Sequence, residues 1–248
     1  MNGSIHIAQI TDCHLPAKRE TRYRGIDAWA NLEQLLARLK AHKPDLVLAT
    51  GDLSEDASPA SYRGLRDLLW KLRVPVLALP GNHDDANLVE QFFPSSPADI
   101  PRYSYHGGWE IIRLNSCEAG EPHGRLSDNT LQQLQATLEQ DSGRPRLLAL
   151  HHQPVLVNSP WIDKYRLLEP EPLLQLIDHY ADIKAVVWGH VHQVFEADRN
   201  GIAMLGSPSS AINGIPGKEK FTPDTLGPAC RWLELKADGS LKSQIVSA

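Results

Sequence analysis

The sequence predicts an α/β fold built from two packed β-sheets, and three observations carry that expectation. Short β-type runs alternate with amphipathic helical patterns through roughly the first 190 residues, the order expected of βαβ units. Several of these runs are apolar throughout, as strands covered on both faces are. From about residue 193 onward the pattern changes to short strands joined by turns, without helical periodicity.

The first strand is "IHIAQI" (5–10). Trp29, Leu32, Leu35, Leu36 and Leu39 then mark one face of a helix that Pro44 ends. "DLVLAT" (45–50) is the second strand, and Ser58 followed by Pro59 opens the next helix, because serine caps and proline is preset for the first turn. Tyr62, Leu65, Leu68, Leu69 and Leu72 form its apolar face. "VPVLALP" (74–80) and "EIIRLNS" (110–116) are strands; Leu131, Leu134 and Leu138 stripe a third helix after Ser127. "RLLALHH" (146–152) and "KAVVWGH" (184–190) are strands on either side of a fourth helix, "EPLLQLIDHY" (171–180). The remaining runs, "HQVFEA", "GIAMLGS", "CRWLELKAD" and "SQIVS", are expected to form the second sheet. No repeat or linker divides the chain, so residues 1–248 are expected to be one domain; 207–228 is its one long irregular segment, of a length that is functional or mobile in compact domains.

A chain of 248 residues buries roughly 70 to 75% of its unfolded surface and holds together without staples. Cys13, Cys117 and Cys230 are too few and too scattered for a disulfide framework or a thiolate zinc site, which favours a reducing compartment. The N-terminus lacks the pattern of a secretory signal and no window approaches a membrane span, so a soluble, cytoplasmic protein is expected. A formal net charge of −5 argues against nucleic acid and against anionic membranes as partners.

Five apolar runs end in polar groups capable of chemistry: "ITDCHL" in Asp12 and His14, "ATGD" in Asp52, "LPGNHDD" in Asn82, His83 and two aspartates, "ALHH" in His151 and His152, "WGHVH" in His190 and His192. Strand ends are where α/β sheets build sites, and the convergence of five says more than any single motif. On an extended segment residues i and i+2 point to the same side, so Asp12 with His14, and His190 with His192, are expected to face one ion. His151 and His152 diverge, and His151 is the expected ligand, with His152 supporting it or facing substrate. Glycines 51, 81 and 189 let the chain turn and approach closely. This Asp/His/Asn donor set suits Mn, Fe or Zn. Seven donors exceed one tetrahedral site, and a bridging carboxylate allows two ions, the known device for displacement at phosphorus.

The blocks "DCH" (12–14), "GD" (51–52), "GNHD" (81–84), "HH" (151–152) and "GHVH" (189–192), in that order, resemble the five-block signature of the calcineurin-like metallophosphoesterases over about residues 5 to 195. The resemblance implies a four-layer αββα double β-sandwich and two divalent ions per chain. It places Asp12, His14 and His192 on one metal, Asn82, His151 and His190 on the other, with Asp52 bridging. His83 then matches the non-ligand histidine that stabilises the transition state or protonates the leaving group. Substrate contacts fall to His14, Asp52, Asn82, His83, His151 and His192.

"HHQPVLVNSPWIDKYRL" (151–167), "VVWGHVHQVFE" (187–196), "LGSPSSAIN" (205–213) and "FTPDTLGPACRWLEL" (221–235) are further similar to the bacterial class III cyclic-AMP phosphodiesterases. That branch implies hydrolysis of 3′,5′-cyclic AMP to 5′-AMP, by attack of a metal-bridging hydroxide with His83 protonating the leaving oxygen. The alternative is another small phosphoester, such as a glycerophosphodiester or a nucleotide, acted on by the same centre. Cys13 and Asn115 depart from the branch, which bears on substrate preference more than on catalysis. A monomer or homodimer is expected.

Around this set, Glu55 and Asp84 either orient His83 or serve as turn carboxylates, and Asp56 and Asp85 are read as turn residues. His6, His42, His106 and His179 are surface or strand residues. His123 is a weaker candidate for the substrate border, the basic run 18–24 reads first as a solvated loop, and Trp161 and Arg166 serve either packing and surface or substrate.

Overall fold

The computed structural model describes residues 4–94, 96–97 and 101–248. Eleven strands form two mixed sheets among these residues. In the first sheet, β1 (Ile5–Ile10), β2 (Leu46–Thr50) and β3 (Val76–Leu79) run parallel, linked by α1 (Ala28–His42) and α2 (Pro59–Leu69). The second sheet is built on β5 (Trp109–Arg113), β6 (Arg146–Ala149), β7 (Ile183–Trp188) and β9 (Ile202–Gly206), all parallel, with antiparallel β4 (Arg102–His106) and β8 (Phe195–Arg199) at its edges. Its helices are α4 (Asp128–Leu138) and α6 (Glu171–His179). The short helices α3 (Ala86–Phe92) and α5 (Pro160–Asp163) follow β3 and β6.

Three apolar layers separate four layers of structure, and the strands explain why their sequences are apolar throughout. Ile5, Ile7, Leu46 and Leu48 face Ile111, Leu147, Ala185 and Val187 between the sheets. Alternate residues Ala8, Ile10, Val47 and Ala49 face the other way, onto Leu32, Leu35, Leu36 and Leu39 of α1 and Leu65 and Leu69 of α2. On the far side Leu148, Val186 and Trp188 meet Leu134, Leu173 and Ile177. A period of two therefore buries both faces, one against the opposite sheet and one against helices.

The expectation that the C-terminal strands make the second sheet is corrected by the pairing. β8 and β9 do join the second sheet, but β10 (Ala229–Leu235) returns to pair antiparallel with β1, and β11 (Leu241–Ser247) pairs with β10. β1 is apolar on both faces yet has β2 on one edge only, so its other edge needs a partner for its backbone groups, and β10 supplies it. Local patterning says how many faces of a strand are buried but not which edge it joins.

Caps behave as the residues predict. The Ser58 hydroxyl accepts from Ser61 N with Pro59 in the first turn of α2, and Ser127 accepts from Thr130 N at the start of α4. Before Pro44 the chain leaves α1 through Lys43 at φ 55°, whose N–H still reaches Leu39 O. Three elements were not expected, the third being α5. Asp85 caps α3 by accepting from Asn87 N and Leu88 N, and β4 alternates half-buried with exposed residues as an edge strand does.

Beneath the strand ends, Gln9 bridges the two sheets. Its amide nitrogen donates to Thr50 Oγ1 and Trp188 O, both at 3.1 Å, and its oxygen accepts from Ser207 Oγ at 2.6 Å. Among the described residues no helix is long and apolar enough to cross a membrane.

One buried ion pair ties α4 to the second sheet. Arg146 Nε donates to Glu110 Oε2 at 2.7 Å, and its other nitrogens reach Asp182 and the Leu138 and Thr137 carbonyls that end the helix. Arg146→Met strands the Glu110 carboxylate and is expected to cost about 3 kcal/mol, measured as a lower urea midpoint; a loss below about 1 kcal/mol would refute this anchoring role.

Candidate metal centre

The parallel strands β1, β2, β3, β6 and β7 deliver their C-terminal ends to one place. The delivery differs from the extended geometry expected for i and i+2. Asp12 (φ 52°), His14 (φ 45°), Asp52 (φ 50°), His190 (φ 66°) and His192 (φ 47°) all take the left-handed backbone conformation. Such a conformation costs a non-glycine residue about 1–2 kcal/mol, so the turns must be held by their surroundings. Asp12 N donates to Gly51 O and His14 N to Asp52 O, each at 2.9 Å, and His190 N donates to the Asp12 carboxylate at 3.0 Å. Asp12 and His14 therefore do converge, through tight turns instead of a straight segment, whereas His190 and His192 fall into different donor groups, His192 with Asp12 and His14 and His190 with His151 and His152.

Glycine is required where these turns touch. A Cβ on Gly81 would collide with the backbone N and carboxylate of Asp52, and one on Gly189 with the Thr11 hydroxyl. Gly51 adopts φ 92°, a conformation glycine takes without strain.

The donor atoms interlock. His14 Nε2 lies 3.2 Å from His192 Nε2 and 3.6 Å from Asp52 Oδ2; His192 Nε2 lies 3.3 Å from Asp12 Oδ1. On the other side of Asp52, His151 Nε2 is 3.4 Å from Oδ1 and 3.2 Å from Asn82 Oδ1. Asp12, His14 and His192 form one group able to hold a metal, Asp12, Asp52 and His151 a second, His151, His152 and His190 a third, and His14, Asp52 and the exposed His83 a fourth.

The protonation pattern fits cations. His14 Nδ1 sits 2.9 Å from Glu55 Oε2, His192 Nδ1 2.7 Å from Ile212 O and His151 Nδ1 2.8 Å from Thr50 O. Each acceptor engages Nδ1, which turns Nε2 inward as the nitrogen that would offer its lone pair to an ion. His190 Nε2 is buried with no hydrogen-bond partner among the described residues. Asp12 is 0% and Asp52 2% exposed. Two buried carboxylates and an orphaned imidazole nitrogen are what a divalent ion would satisfy.

Without an ion the histidines compensate. Burial pushes the Asp52 carboxyl up, but His151, His14 and His83 around it hold it well below the usual carboxylate range. Burial lowers His151, yet Asp52 and Asp12 outweigh it and raise it to about 9, while burial and the nearby His151 bring His190 down to about 3. Metal binding at His151 must therefore displace a proton.

His83 stands at the rim with its side chain 39% exposed. Its N–H donates to Asp52 Oδ1 at 2.9 Å, its Nδ1 lies 3.3 Å from Glu55 Oε2, and its ring meets His14 edge-on at 4.7 Å. Burial lowers its pKa, but Glu55 and Asp52 together raise it to about 9. Of the two carboxylates considered for orienting it, Glu55 is the one in contact. Asp84 instead accepts from Leu53 N, Ser54 N, Gly81 N and Tyr62 Oη, which fixes the loop. His152 Nδ1 bonds Ser116 Oγ at 2.9 Å, and its Nε2 is buried.

A cavity of about 190 Å³ opens beside these donors. Trp161 lines it, as does Arg24 from the basic run read as a solvated loop. Arg166 donates to Asp163 O, and His123 pairs with Glu118 at 3.2 Å; neither lines the cavity. Tyr23, Tyr165 and Phe221 line it without having been singled out by sequence. Tyr23 stacks on His14 with centroids 4.1 Å apart and planes 10° from parallel. Phe221 comes from the irregular segment 207–228, which is docked: Gly214 N donates to His192 O and Gly217 N to Ser159 Oγ, both at 2.8 Å. Only aromatic character in otherwise polar loops could have signalled these residues.

Comparison with known proteins agrees with this geometry. The model of the calcineurin-like phosphoesterase family matches residues 5–194. The chain is 34% identical over 246 residues to the 3′,5′-cyclic adenosine monophosphate phosphodiesterase CpdA of Pseudomonas aeruginosa, covering 98% of this chain and 90% of that one. It is 37% identical over 243 residues to a 3′,5′-cyclic-nucleotide phosphodiesterase of Nostoc, covering 97% and 91%. Among solved structures a dimetal phosphatase from Danio rerio shares the fold, with a TM-score of 0.64, 14% identity and 98% of each chain covered. With five strand ends converging on one donor cluster and a family match spanning all of them, the chain belongs to the calcineurin-like phosphoesterases.

Proposed function

We propose that this chain is a metal-dependent phosphodiesterase that hydrolyses 3′,5′-cyclic AMP to 5′-AMP. The observation that carries the reading is the pair of donor sets flanking a buried Asp52, with a protonated, half-exposed histidine at the rim. The names of the full-length relatives support the cyclic nucleotide over other phosphoesters.

Asp12, His14 and His192 would hold one divalent ion and Asn82, His151 and His190 the other, with Asp52 shared between them. Fe, Mn or Zn suits such donors. When bound, the ions supply positive charge for the phosphoryl oxygens and lower the pKa of a water at the site. The chain's own residues do the rest. Glu55 engages Nδ1 of His83, which leaves Nε2 to give its proton to the departing 3′ oxygen as the P–O3′ bond breaks. The same carboxylate holds His14 and so keeps donor set and proton donor in one frame. Cys13, Cys117 and Cys230 are all free, which supports a reducing compartment such as the cytoplasm.

Metal-stripped protein given back Mn or Fe is expected to release 5′-AMP from cyclic AMP at least as efficiently as it cleaves bis(p-nitrophenyl) phosphate. Turnover of the aryl diester alone would move the substrate to another small phosphoester, such as a glycerophosphodiester. His83→Ala should lower kcat by about 10² to 10⁴-fold with metal content unchanged; loss of metal in this variant would overturn its assignment as a non-ligand. Asp52→Asn should weaken both metals together, and elemental analysis showing two tightly held ions would rule out the bridge.

A further inference from the structure

The cavity beside the donors has two unlike sides. One presents the imidazoles, Asp52 and Asn82; the other is built from Tyr23, Arg24, Trp161, Tyr165 and Phe221. Four aromatic rings around one small cavity are a concentration in a chain that is 6% aromatic. Arg24 is the only Arg or Lys among the residues lining it.

Arg24 is also unusually fixed for an arginine. Its Nε donates to Tyr23 Oη at 3.0 Å, and its guanidinium carbon lies 4.6 Å over the Phe221 ring and 5.5 Å from the centre of Tyr23. No carboxylate pairs with it among the described residues. Its backbone sits at φ 49°, a conformation that Gly or Asn adopts more easily. Phe221 is held in turn. Trp161 meets it edge-on at 5.1 Å, Ile215 N donates to Thr222 O at 2.8 Å across the small hairpin that carries it, and a Cβ on Gly214 would crowd its ring at 3.1 Å.

We propose that Arg24 and Phe221 form the nucleobase subsite, with the base held over the guanidinium by cation–π stacking. The inference rests on the phosphodiesterase reading above. With the phosphoryl group drawn to the donor side, the ester substituent must lie along the other wall. A planar cation backed by aromatic rings suits an uncharged, electron-rich heteroaromatic ring. It repels a choline or ethanolamine head group, which separates nucleotides from the common glycerophosphodiesters. Because stacking uses the π-face, which every base has, adenine and guanine are held alike.

The test compares cyclic AMP with base-free ribose 3′,5′-cyclic phosphate on the metal-loaded full chain. Arg24→Ala is expected to raise KM for cyclic AMP about tenfold while kcat and the kinetics on the base-free analogue stay within about twofold. Phe221→Ala should do the same, and cyclic GMP should be affected as cyclic AMP is. Arg24→Gly, which suits the left-handed backbone, removes the same side chain if the alanine variant folds poorly. An equal rise in KM for both substrates would assign Arg24 to the phosphoryl group, and no change for either would make it structural; both outcomes overturn the subsite. Wild-type protein that cleaves bis(p-nitrophenyl) phosphate but neither cyclic phosphate would instead overturn the parent reading, and the subsite with it.

Discussion

Two carboxylates removed from water, Asp12 and Asp52, set the terms for the rest of this structure. A buried carboxylate is costly unless charge or hydrogen bonds compensate it, and here the compensation is imidazole: His192 beside Asp12, and His14 and His151 on either side of Asp52. The histidines are in turn oriented from behind by Glu55, Ile212 O and Thr50 O. Thr50 ends β2 and Glu55 lies in the loop that follows it, while Ile212 comes from the segment after β9, so the frame around the centre closes only when both parts of the chain are in place.

That requirement explains the unusual backbone. Left-handed residues at five candidate ligand positions would be unfavourable singly, but each turn is braced by bonds to another turn, as His14 N is by Asp52 O and His190 N by the Asp12 carboxylate. The parallel strands below supply rigidity, and Gln9 joins the two sheets directly under the site. Strain is concentrated where the chemistry needs divergent chain directions to present convergent side chains.

Much of this was legible in the amino-acid sequence. The doubly apolar strands announced burial on both faces, Ser58–Pro59 and Ser127 marked helix starts, and the polar residues ending five strands marked the centre. The destination of β10 and β11 was not, because edge pairing is decided by which backbone groups remain unsatisfied after the parallel core has formed. The i, i+2 spacing brought Asp12 and His14 together through a conformation it did not predict, tight left-handed turns in place of extended strands, and it failed for His190 and His192, which those turns send to different donor groups. Arg24 and Phe221 lay hidden because nothing local distinguishes a docked loop from a solvated one; the bonds that dock 207–228 reach back to Ser159 and His192.

Those bonds also tie the cavity wall to the donor set. Tyr23, which carries Arg24, stacks on His14, while the hairpin bearing Phe221 hangs from the carbonyl of His192, whose ring also bonds Ile212 O. Both halves of the wall are thus mounted on histidines of the same three-residue group, one on the His14 ring and one on the His192 backbone. Any ion that repositions His14 or His192 also repositions what faces them, and by thermodynamic reciprocity a molecule gripped by the wall must alter how tightly that ion is held. Under the proposed function, selectivity and ion affinity are then two readings of one equilibrium.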